Sequence, residues 1–383
     1  REEAGGEEGD GCGAAASAPP SKQTVKGVWK SGGQRHMYME TQSACATPMD
    51  ADCWEIVSSD QDASFSQACL ALVLGISEHQ INVKVPRAGG AFGGKLTRQL
   101  LVSCAAAVAA RKLRRPVRVQ MERSDDMRMV IGREPMAFEY AVSFDPVSGR
   151  VESLALDMVI DPGWFLGDNA DSLAMAVHFS DNVYSYADFT VSTHAALSQT
   201  PHSTAMRAPG CMQSILASEV IMEHVAKTVG KSLDVVQALN FYDPSAGPVL
   251  TPFGDHIGAD GFNWTIPALW QKVQTEADVA ARSVAVAEFN RANRFTKRGI
   301  AVSPAKYVMH LHFYSSGALV NIYGDGTVRV SIGGSELGQG INTKVALCVA
   351  EALGVPLASV AVGMRETATV PNNTATGGAG TSG

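Results

Sequence analysis

The chain has 383 residues, of which 45% are hydrophobic and 18% are charged, a balance typical of a globular protein with two or three domains. Its formal net charge of −7 and its lack of an apolar run of membrane-spanning length give no reason to expect a nucleic-acid or membrane partner. Its seven cysteines are scattered without a Cys-x-x-Cys pair, which argues against a zinc, disulfide or iron–sulfur framework and predicts a reducing, cytoplasmic location.

The first part of the chain predicts a mixture of strands and helices. Residues 1–22 are rich in Gly, Ala, Glu and Ser and nearly lack large apolar residues, so we expect them to be disordered. Residues 23–265 then predict a first domain. Within it, strands are predicted at 24–29, 54–59 and 80–86 and on both sides of a turn at 145–149, and helices at 65–74, 100–113 and 216–229.

The second part begins with a polar, helix-prone connector at 266–297 and continues as a second domain at 298–383. Strands are predicted at 300–303, 317–323 and 327–333, with a hairpin turn at 324–326, and a helix is predicted at 343–353. The fold class is therefore α+β, with mixed sheets flanked by helices in two domains. Because the chain starts at Arg1 and stops within a glycine-rich stretch, we expect a fragment of a longer protein.

The most distinctive motif is Gly-Gly-Ala-Phe-Gly-Gly-Lys at 89–95, between a predicted strand and a predicted helix. Glycines let backbone N–H groups approach an anionic ligand closely. The motif nearly fits a P-loop from Gly89 to Lys95, but Leu96 stands where Ser or Thr should hold magnesium. A nucleotide-binding protein therefore remains an alternative at this point.

Three further glycine-containing segments, at 32–40, 203–210 and 333–340, each hold an amide, guanidinium or hydroxyl group, and a fourth follows at 376–381. A single segment of this kind usually only turns the chain. Together they predict a large polar cofactor held by backbone N–H groups and neutral side chains, because a primary amide both donates to and accepts from the edge of a heterocycle.

These segments have the order and rough spacing of the molybdenum-cofactor-binding part of the xanthine dehydrogenase/aldehyde oxidase family, which the chain resembles over residues 23–383. The residues that carry the resemblance are Gly33-Gln34 with Glu40, the motif at 89–95, Thr204-Ala205-Met206-Arg207-Ala208-Pro209-Gly210 and Gly333-Gly334-Ser335-Glu336-Leu337-Gly338-Gln339-Gly340. The resemblance implies a molybdopterin cofactor, whose dithiolene holds the metal, and hydroxylation of aldehydes or N-heterocycles with oxygen from water.

The resemblance also implies roles for individual residues. Gln34, as the catalytic residue, lies beside the metal with Phe92, Arg207 and Gly378. The cofactor-binding residues are Gly90, Phe92, Gly93, Arg207, Leu337, Gly338, Gln339, Thr376, Ala379 and Thr381. We expect Glu40 and Glu336 to be structural carboxylates.

In the family, the general-base glutamate lies beyond the last cofactor loop, and FAD and [2Fe-2S] clusters occupy other domains. The resemblance therefore implies that this chain alone is inactive and that the full-length protein is a homodimer. A relic that folds without binding the cofactor remains an alternative.

Three positions bear on the substrate. Leu96 stands where xanthine-oxidising members have a purine-binding glutamate, Met175 where they have an arginine, and Pro209 where they have a stacking aromatic residue. A site built to hydrogen-bond a purine loses orders of magnitude in activity when those bonds are missing. The resemblance thus favours an aldehyde-oxidase-like preference for aldehydes or neutral heterocycles, with xanthine or hypoxanthine oxidation as the alternative. A second alternative is that Leu96 and Met175 only fill core space.

Overall fold

The structure is a computed structural model that describes residues 22–258, 264–307 and 315–381. The segment predicted to be disordered therefore lies outside the described residues, apart from Lys22. The strands are β1 (Gln23–Ser31), β2 (Ser43–Pro48), β3 (Trp54–Ser58), β4 (Ile81–Val85), β5 (Val117–Gln120), β6 (Met136–Phe144), β7 (Val151–Ile160), β8 (Asp188–Ala195), β9 (Val249–Leu250), β10 (His256–Ile257), β11 (Ala318–Ile322), β12 (Val328–Ile332), β13 (Val360–Val362) and β14 (Arg365–Glu366). The helices are α1 (Ala63–Leu74), α2 (Leu100–Leu113), α3 (Arg123–Met129), α4 (Asn169–His178), α5 (Cys211–Val229), α6 (Leu233–Asn240), α7 (Ile266–Glu276), α8 (Val279–Ala292) and α9 (Ile341–Leu353).

The larger sheets are all mixed, with strand orders β14-β4-β3-β2-β5, β1-β6-β7-β8 and β11-β12-β13. Each contains one parallel pair joined by a crossover helix: β3 and β4 by α1, β7 and β8 by α4, and β12 and β13 by α9. A parallel pair needs such a crossover because a tight turn can join only antiparallel strands. This arrangement confirms the predicted α+β class with mixed sheets flanked by helices.

The core of the second sheet follows from strict alternation along its strands. In β6, every second residue from Met136 to Phe144 is buried, as expected for a strand with one face on a core. Phe138 and Phe144 are fully buried there, in one cluster with Ile221 and Val225 of α5. Helix α5 ends at Gly230, whose φ of +69° gives the left-handed stop expected of a glycine.

The first sheet receives a strand from the far end of the chain. β14 pairs antiparallel with β4, with Arg365 opposite Val85. The region predicted as a second domain therefore completes the edge of a sheet that is otherwise built from the first region. This pairing brings the residues after β14 next to the loops that follow β3 and β4.

Most of the predicted elements are confirmed with small shifts in their ends, but the strand predicted at 300–303 is wrong. Two backbone carbonyls in or beside that segment accept hydrogen bonds from side-chain amides, Val302 from Gln237 and Pro304 from Asn182. The segment is thus held against α6 and the turn after α4 by side chains, and it pairs with no strand in the described part of the chain. The connector forms two helices, α7 and α8, and no helix among the described residues is long and apolar enough to cross a membrane.

Candidate functional site

Five segments that carry the sequence motifs contact one another in the folded chain. We call them the Gln34 segment (32–40), the glycine loop (89–95), the arginine loop (202–210), the glutamine loop (333–340) and the threonine loop (376–381). The glycine loop follows the carboxyl end of β4 and the glutamine loop that of β12. In open sheets with parallel strands, ligands bind at the carboxyl ends of the strands.

The glycine loop lies directly against the arginine loop. The backbone N–H of Arg207 donates to the carbonyl of Phe92 at 2.8 Å. Gly93 has a φ of +103°, and a Cβ added to it would lie 2.2 Å from the carbonyl oxygen of Ala205. Only glycine fits this position. Phe92 itself has a left-handed φ of +56°, which is strained for a non-glycine residue, and its side chain is 43% exposed. Gly90, at the start of the loop, also has a positive φ.

The lysine of the glycine loop is used inside the protein. Nζ of Lys95 donates to Oε2 of Glu40 at 2.9 Å, and the same oxygen accepts from the N–H of Gly89. The Lys95 side chain is fully buried and lies 4.8 Å from the centre of the Tyr38 ring. Burial lowers the pKa of Lys95, while Glu40 acts to raise it. The P-loop interpretation requires this ammonium to contact phosphate, so the geometry contradicts that interpretation and confirms Glu40 as a structural acceptor.

Gln61, in the loop after β3, joins the glycine loop to the threonine loop. Its Oε1 accepts from the N–H groups of Gly93 at 2.9 Å and Lys95 at 3.2 Å. Its Nε2 donates to the carbonyl of Thr376 at 2.9 Å, and the backbone N–H of Thr376 donates to the Gln61 carbonyl at 2.8 Å. Gln61 is only 3% exposed, and the sequence analysis missed it.

Arg365, on β14, brings the glutamine loop into the same network. Its Nη1 donates to the Gln61 carbonyl and to Oγ of Ser335, at 3.1 Å each. Oγ1 of Thr376 accepts from the backbone N–H of Ser335 at 2.9 Å. Because Arg365 is 2% exposed, these bonds are made away from water, where a hydrogen bond to a charged group contributes about 1.5–3 kcal/mol. Thr376, predicted to bind the cofactor, thus directs its hydroxyl oxygen to the protein.

The glutamine loop is shaped by its own carboxylate. Glu336 accepts hydrogen bonds from the backbone N–H groups of Gly338, Gly340 and Asn342 at 2.9–3.1 Å. Burial alone would raise the pKa of Glu336, but these three N–H groups together hold it below its usual value. Glu336 is therefore a structural carboxylate, as predicted. The carbonyl of Glu336 also accepts from the N–H of Ala88, next to the glycine loop, at 2.9 Å.

The amide of Gln339 also supports this loop. Its Oε1 accepts from the N–H of Leu337 at 2.7 Å, and its Nε2 donates to the carbonyl of Ser335 at 2.8 Å. The side chain remains exposed, so its second amide hydrogen is available to a ligand. Gly338 has a φ of +104° with open space beyond it, which means that backbone conformation requires the glycine there.

The threonine loop packs on the glutamine loop. A Cβ added to Gly334 would lie 2.6 Å from Cγ2 of Thr381. Gly378 and Ala379 have left-handed φ values of +53° and +62°, and the backbone turns at these residues. Such left-handed turns form concave surfaces lined by backbone N–H groups.

Arg133 positions Gln34 and the arginine loop together. Its Nε donates to Oε1 of Gln34 at 3.1 Å, its Nη2 to the carbonyl of Arg207 at 2.6 Å, and its Nη1 to the carbonyl of Ala208 at 3.2 Å. Arg133 is buried, and Nη1 also donates to Oε1 of Gln213. Because its oxygen is occupied, Gln34 offers its amide N–H groups to a ligand. The sequence analysis missed Arg133.

The three predicted substrate-pocket residues lie on neighbouring segments and are half-buried. Leu96 follows the glycine loop, Met175 is on α4, and Pro209 ends the arginine loop. A Cβ added to Gly210 would lie 1.9 Å from the carbonyl of Ser172, so the end of the arginine loop contacts the backbone of α4 directly. The three side chains are all apolar and offer a substrate neither hydrogen-bond donors nor a charge.

The polar groups that these five segments present fit a pterin, which supplies its own ligands to the metal. Among the described residues, no group of three or more His, Cys, Asp or Glu side chains is placed to hold a metal ion. The groups that the five segments present are instead backbone peptides in left-handed conformations, the amides of Gln34 and Gln339, and the exposed side chains of Phe92 and Arg207. Amides and peptide groups match the donors and acceptors on the edge of a polar heterocycle.

Asp60, beside Gln61, is a buried carboxyl group in this network. Its oxygens accept from Oγ of Ser66 at 2.6 Å and from the N–H of Asp62 at 2.7 Å. Burial raises the pKa of Asp60 to about 6, although both hydrogen bonds and the charge of Arg365 oppose this effect. The folded chain therefore holds the Asp60 proton more tightly than the unfolded chain does.

This difference predicts a pH dependence of stability. Because the pKa of Asp60 is raised on folding, stability should fall as pH rises from about 4 to about 6 and then level off. The loss should be up to about 3 kcal/mol relative to Asp60→Asn, which has no such titration. Urea unfolding of both proteins between pH 4 and 7.5 measures it, and parallel curves for the two proteins would contradict the buried state of Asp60.

Because Gly93 contacts the arginine loop, a substitution there should lower the stability of the protein by more than backbone strain alone would. Gly93→Ala should destabilise the protein by about 1 kcal/mol from its positive φ and by roughly 1–3 kcal/mol more from the clash with Ala205. Gly254→Ala is the matched control, because Gly254 has a φ of +89° with open space around its Cβ position. Thermal and urea unfolding compare the two, and equal losses would show that the loops do not touch at Gly93.

Comparison with known proteins agrees with the geometry. Residues 5–241 and 272–383 match the models of two molybdopterin cofactor-binding domains. Xanthine dehydrogenase of Drosophila subobscura is 36% identical over 361 residues, which cover 93% of this chain and 26% of the relative. Aldehyde oxidase 4 of Arabidopsis thaliana is 36% identical over 326 residues, which cover 85% of this chain and 24% of the relative.

Among solved structures, quinoline 2-oxidoreductase of Pseudomonas putida 86 has the same fold, with a TM-score of 0.79 at 23% identity over 94% of this chain and 47% of that one. The chain spans about a quarter of the length of the curated relatives that it matches. The predicted resemblance is confirmed, and the chain belongs to the molybdopterin cofactor-binding domain family, together with xanthine dehydrogenases and aldehyde oxidases.

Proposed function

We propose that this chain is the cofactor-binding part of a molybdenum hydroxylase that oxidises aldehydes or neutral N-heterocycles with oxygen derived from water. The observation that carries the proposal is the convergence of five cofactor-type segments, joined by buried hydrogen bonds through Gln61, Arg365 and Arg133. Two relatives above 30% identity are named as oxidoreductases of this kind, which supports the reaction class.

In this proposal the five segments hold the cofactor through the following residues: Gly90, Phe92, Gly93, Arg207, Leu337, Gly338, Gln339, Thr376, Ala379 and Thr381. The bound cofactor supplies the two-electron oxidation of the substrate carbon. Gln34, Phe92, Arg207 and Gly378 would lie beside the metal, and Gln34 would donate its amide N–H groups there because Arg133 holds its oxygen. The backbone N–H and carbonyl of Thr376 are bonded to Gln61 and its hydroxyl oxygen accepts from Ser335, so the hydroxyl hydrogen is the group that Thr376 offers the cofactor.

The substrate preference follows from the apolar character of Leu96, Met175 and Pro209. A purine carries several ring nitrogens and carbonyl oxygens that need partners when buried, and apolar side chains leave them unpaired. An aldehyde or a neutral heterocycle carries fewer such groups. Xanthine oxidation is the second candidate, supported by the match to a xanthine dehydrogenase over 93% of this chain.

We also propose that the full-length protein is a homodimer in the cytoplasm. The cysteines among the described residues support the location, because all six are free thiols, as expected in a reducing compartment. The dimer rests on the family resemblance.

Steady-state kinetics of the full-length protein that contains this chain test the proposed function. With a common electron acceptor, we expect kcat/KM for benzaldehyde to exceed kcat/KM for xanthine by at least about tenfold, because the apolar pocket leaves purine groups unpaired. A higher kcat/KM for xanthine would contradict the substrate preference. Oxidation of neither compound by molybdenum-loaded protein would contradict the function as a whole.

A single substitution tests the position of Leu96 in the pocket. Leu96→Glu should raise the ratio of kcat/KM for xanthine to that for benzaldehyde by about tenfold or more, because the carboxylate offers the purine a hydrogen-bond partner. Leu113→Glu, at an exposed position at the end of α2, is the matched control and should leave the ratio unchanged. If both variants leave it unchanged at equal molybdenum content, Leu96 does not contact the substrate.

A further inference from the structure

Two large aromatic side chains stand together on the surface after β7. Trp164 is 65% exposed and Phe165 is 52% exposed. Their ring centroids are 5.5 Å apart and their planes make an angle of 31°. Exposed neighbouring aromatic residues are unusual on a protein surface, and such clusters commonly mark a place where a ligand or partner binds.

The backbone around this pair is fixed, so the exposure is a feature of the fold. The N–H of Trp164 donates to the carbonyl of Thr200 at 3.1 Å, and the N–H of Ser198 donates to the carbonyl of Gly163 at 3.0 Å. Gly163 has a φ of +88°, and a Cβ added to it would lie 2.6 Å from the carbonyl of Pro201. The loop that carries Trp164 and Phe165 therefore packs closely against the segment that leads into the arginine loop.

The imidazole ring of a histidine packs against both aromatic rings. His202 contacts Trp164 and Phe165 edge to face, with centroid distances of 6.4 Å and 5.6 Å. Its Nε2 lies 3.5 Å from Oδ1 of Asp168, and its side chain is 12% exposed. Burial, together with Arg98, lowers the pKa of His202, which keeps the ring neutral near pH 7 although Asp168 acts against this effect. The three rings form an uncharged aromatic surface.

This surface is attached to the segments that carry the candidate pocket. His202 is the first residue of the arginine loop, and Oδ2 of Asp168 accepts from Oγ1 of Thr204 at 2.9 Å. Nη2 of Arg98, two residues after Leu96, donates to the carbonyl of His202 at 3.0 Å. Nδ2 of Asn169, the first residue of the helix that carries Met175, donates to the carbonyl of Ser203 at 3.2 Å. The segments that carry Leu96 and Met175 are therefore bonded to the start of the arginine loop, where His202 contacts the aromatic pair.

We propose that Trp164 and Phe165 form an aromatic wall at the entrance of the pocket that binds flat aromatic substrates by stacking and so determines specificity for them. The proposal deepens the proposed function and rests on it. Aromatic side chains bind planar rings through their large apolar faces and through offset or edge-to-face contacts. A short aliphatic aldehyde has no flat face and gains little from this wall.

The test uses the full-length protein with Trp164→Ala, Phe165→Ala and the double substitution, and compares benzaldehyde with propanal. We expect the double variant to lower the ratio of kcat/KM for benzaldehyde to that for propanal by about tenfold, mainly through KM for benzaldehyde. Phe295→Ala removes an aromatic side chain that is 90% exposed elsewhere, and it should leave the ratio unchanged. An unchanged ratio in the double variant would overturn the proposal while leaving the proposed function intact.

A binding experiment decides the matter if neither aldehyde is oxidised, an outcome that would count against the proposed function alone. Titration of quinoline into the protein should quench tryptophan fluorescence saturably, because stacking places the ligand against Trp164. The quenching should be lost in Trp164→Ala and retained in Phe295→Ala. Quenching that is absent, or equal in all three proteins, would overturn the aromatic wall.

Discussion

The candidate site depends on the hydrogen bonds that the buried carboxamide of Gln61 makes. Its oxygen accepts from the glycine loop and its nitrogen donates to the threonine loop, 315 residues further along the chain. Because Gln61 is buried, loss of either partner leaves an unpaired polar group, which costs about 1–3 kcal/mol. Arg365 extends the same network to the glutamine loop, so buried hydrogen bonds fix three cofactor-type loops relative to one another.

Arg133 joins the Gln34 segment to the arginine loop, as Gln61 joins the glycine loop to the threonine loop. A guanidinium group offers five donors in a fixed plane, and here it holds the Gln34 side chain and two carbonyls of the arginine loop at once. Two residues next to these anchors, Phe92 and Ala208, have a positive φ, which is strained for a residue other than glycine. Strained residues persist only where their surroundings hold them, and they cluster at functional sites. The anchors supply that restraint.

The sequence predicted the strands, helices and motifs that depend on neighbouring residues. It missed the residues whose role depends on partners far away in the chain. The strands on both sides of the turn at 145–149 and the helix at 216–229 depend on local pattern, and they were found as β6, β7 and α5. Gln61, Arg133 and Arg365 are single polar residues without a local pattern, and Arg365 contacts a residue 304 positions away. The predicted strand at 300–303 failed for the same reason, because distant side-chain amides, from Gln237 of α6 and from Asn182, bond the carbonyls of Val302 and of the adjacent Pro304.

The central claim is that buried anchors assemble five segments into one molybdopterin site, and the cofactor content of the protein tests it most directly. For full-length protein purified from a host that makes the cofactor, we expect one molybdenum and one pterin per chain. We also expect Gln61→Leu, whose side chain is of similar size but can bond neither loop, to lose most of both while its circular dichroism remains that of a folded protein. A Gln61→Leu variant that keeps full cofactor content would show that the Gln61 side chain does not assemble the site. A parent protein that contains no cofactor when another molybdenum hydroxylase in the same host is loaded would show that the five segments do not form a molybdopterin site.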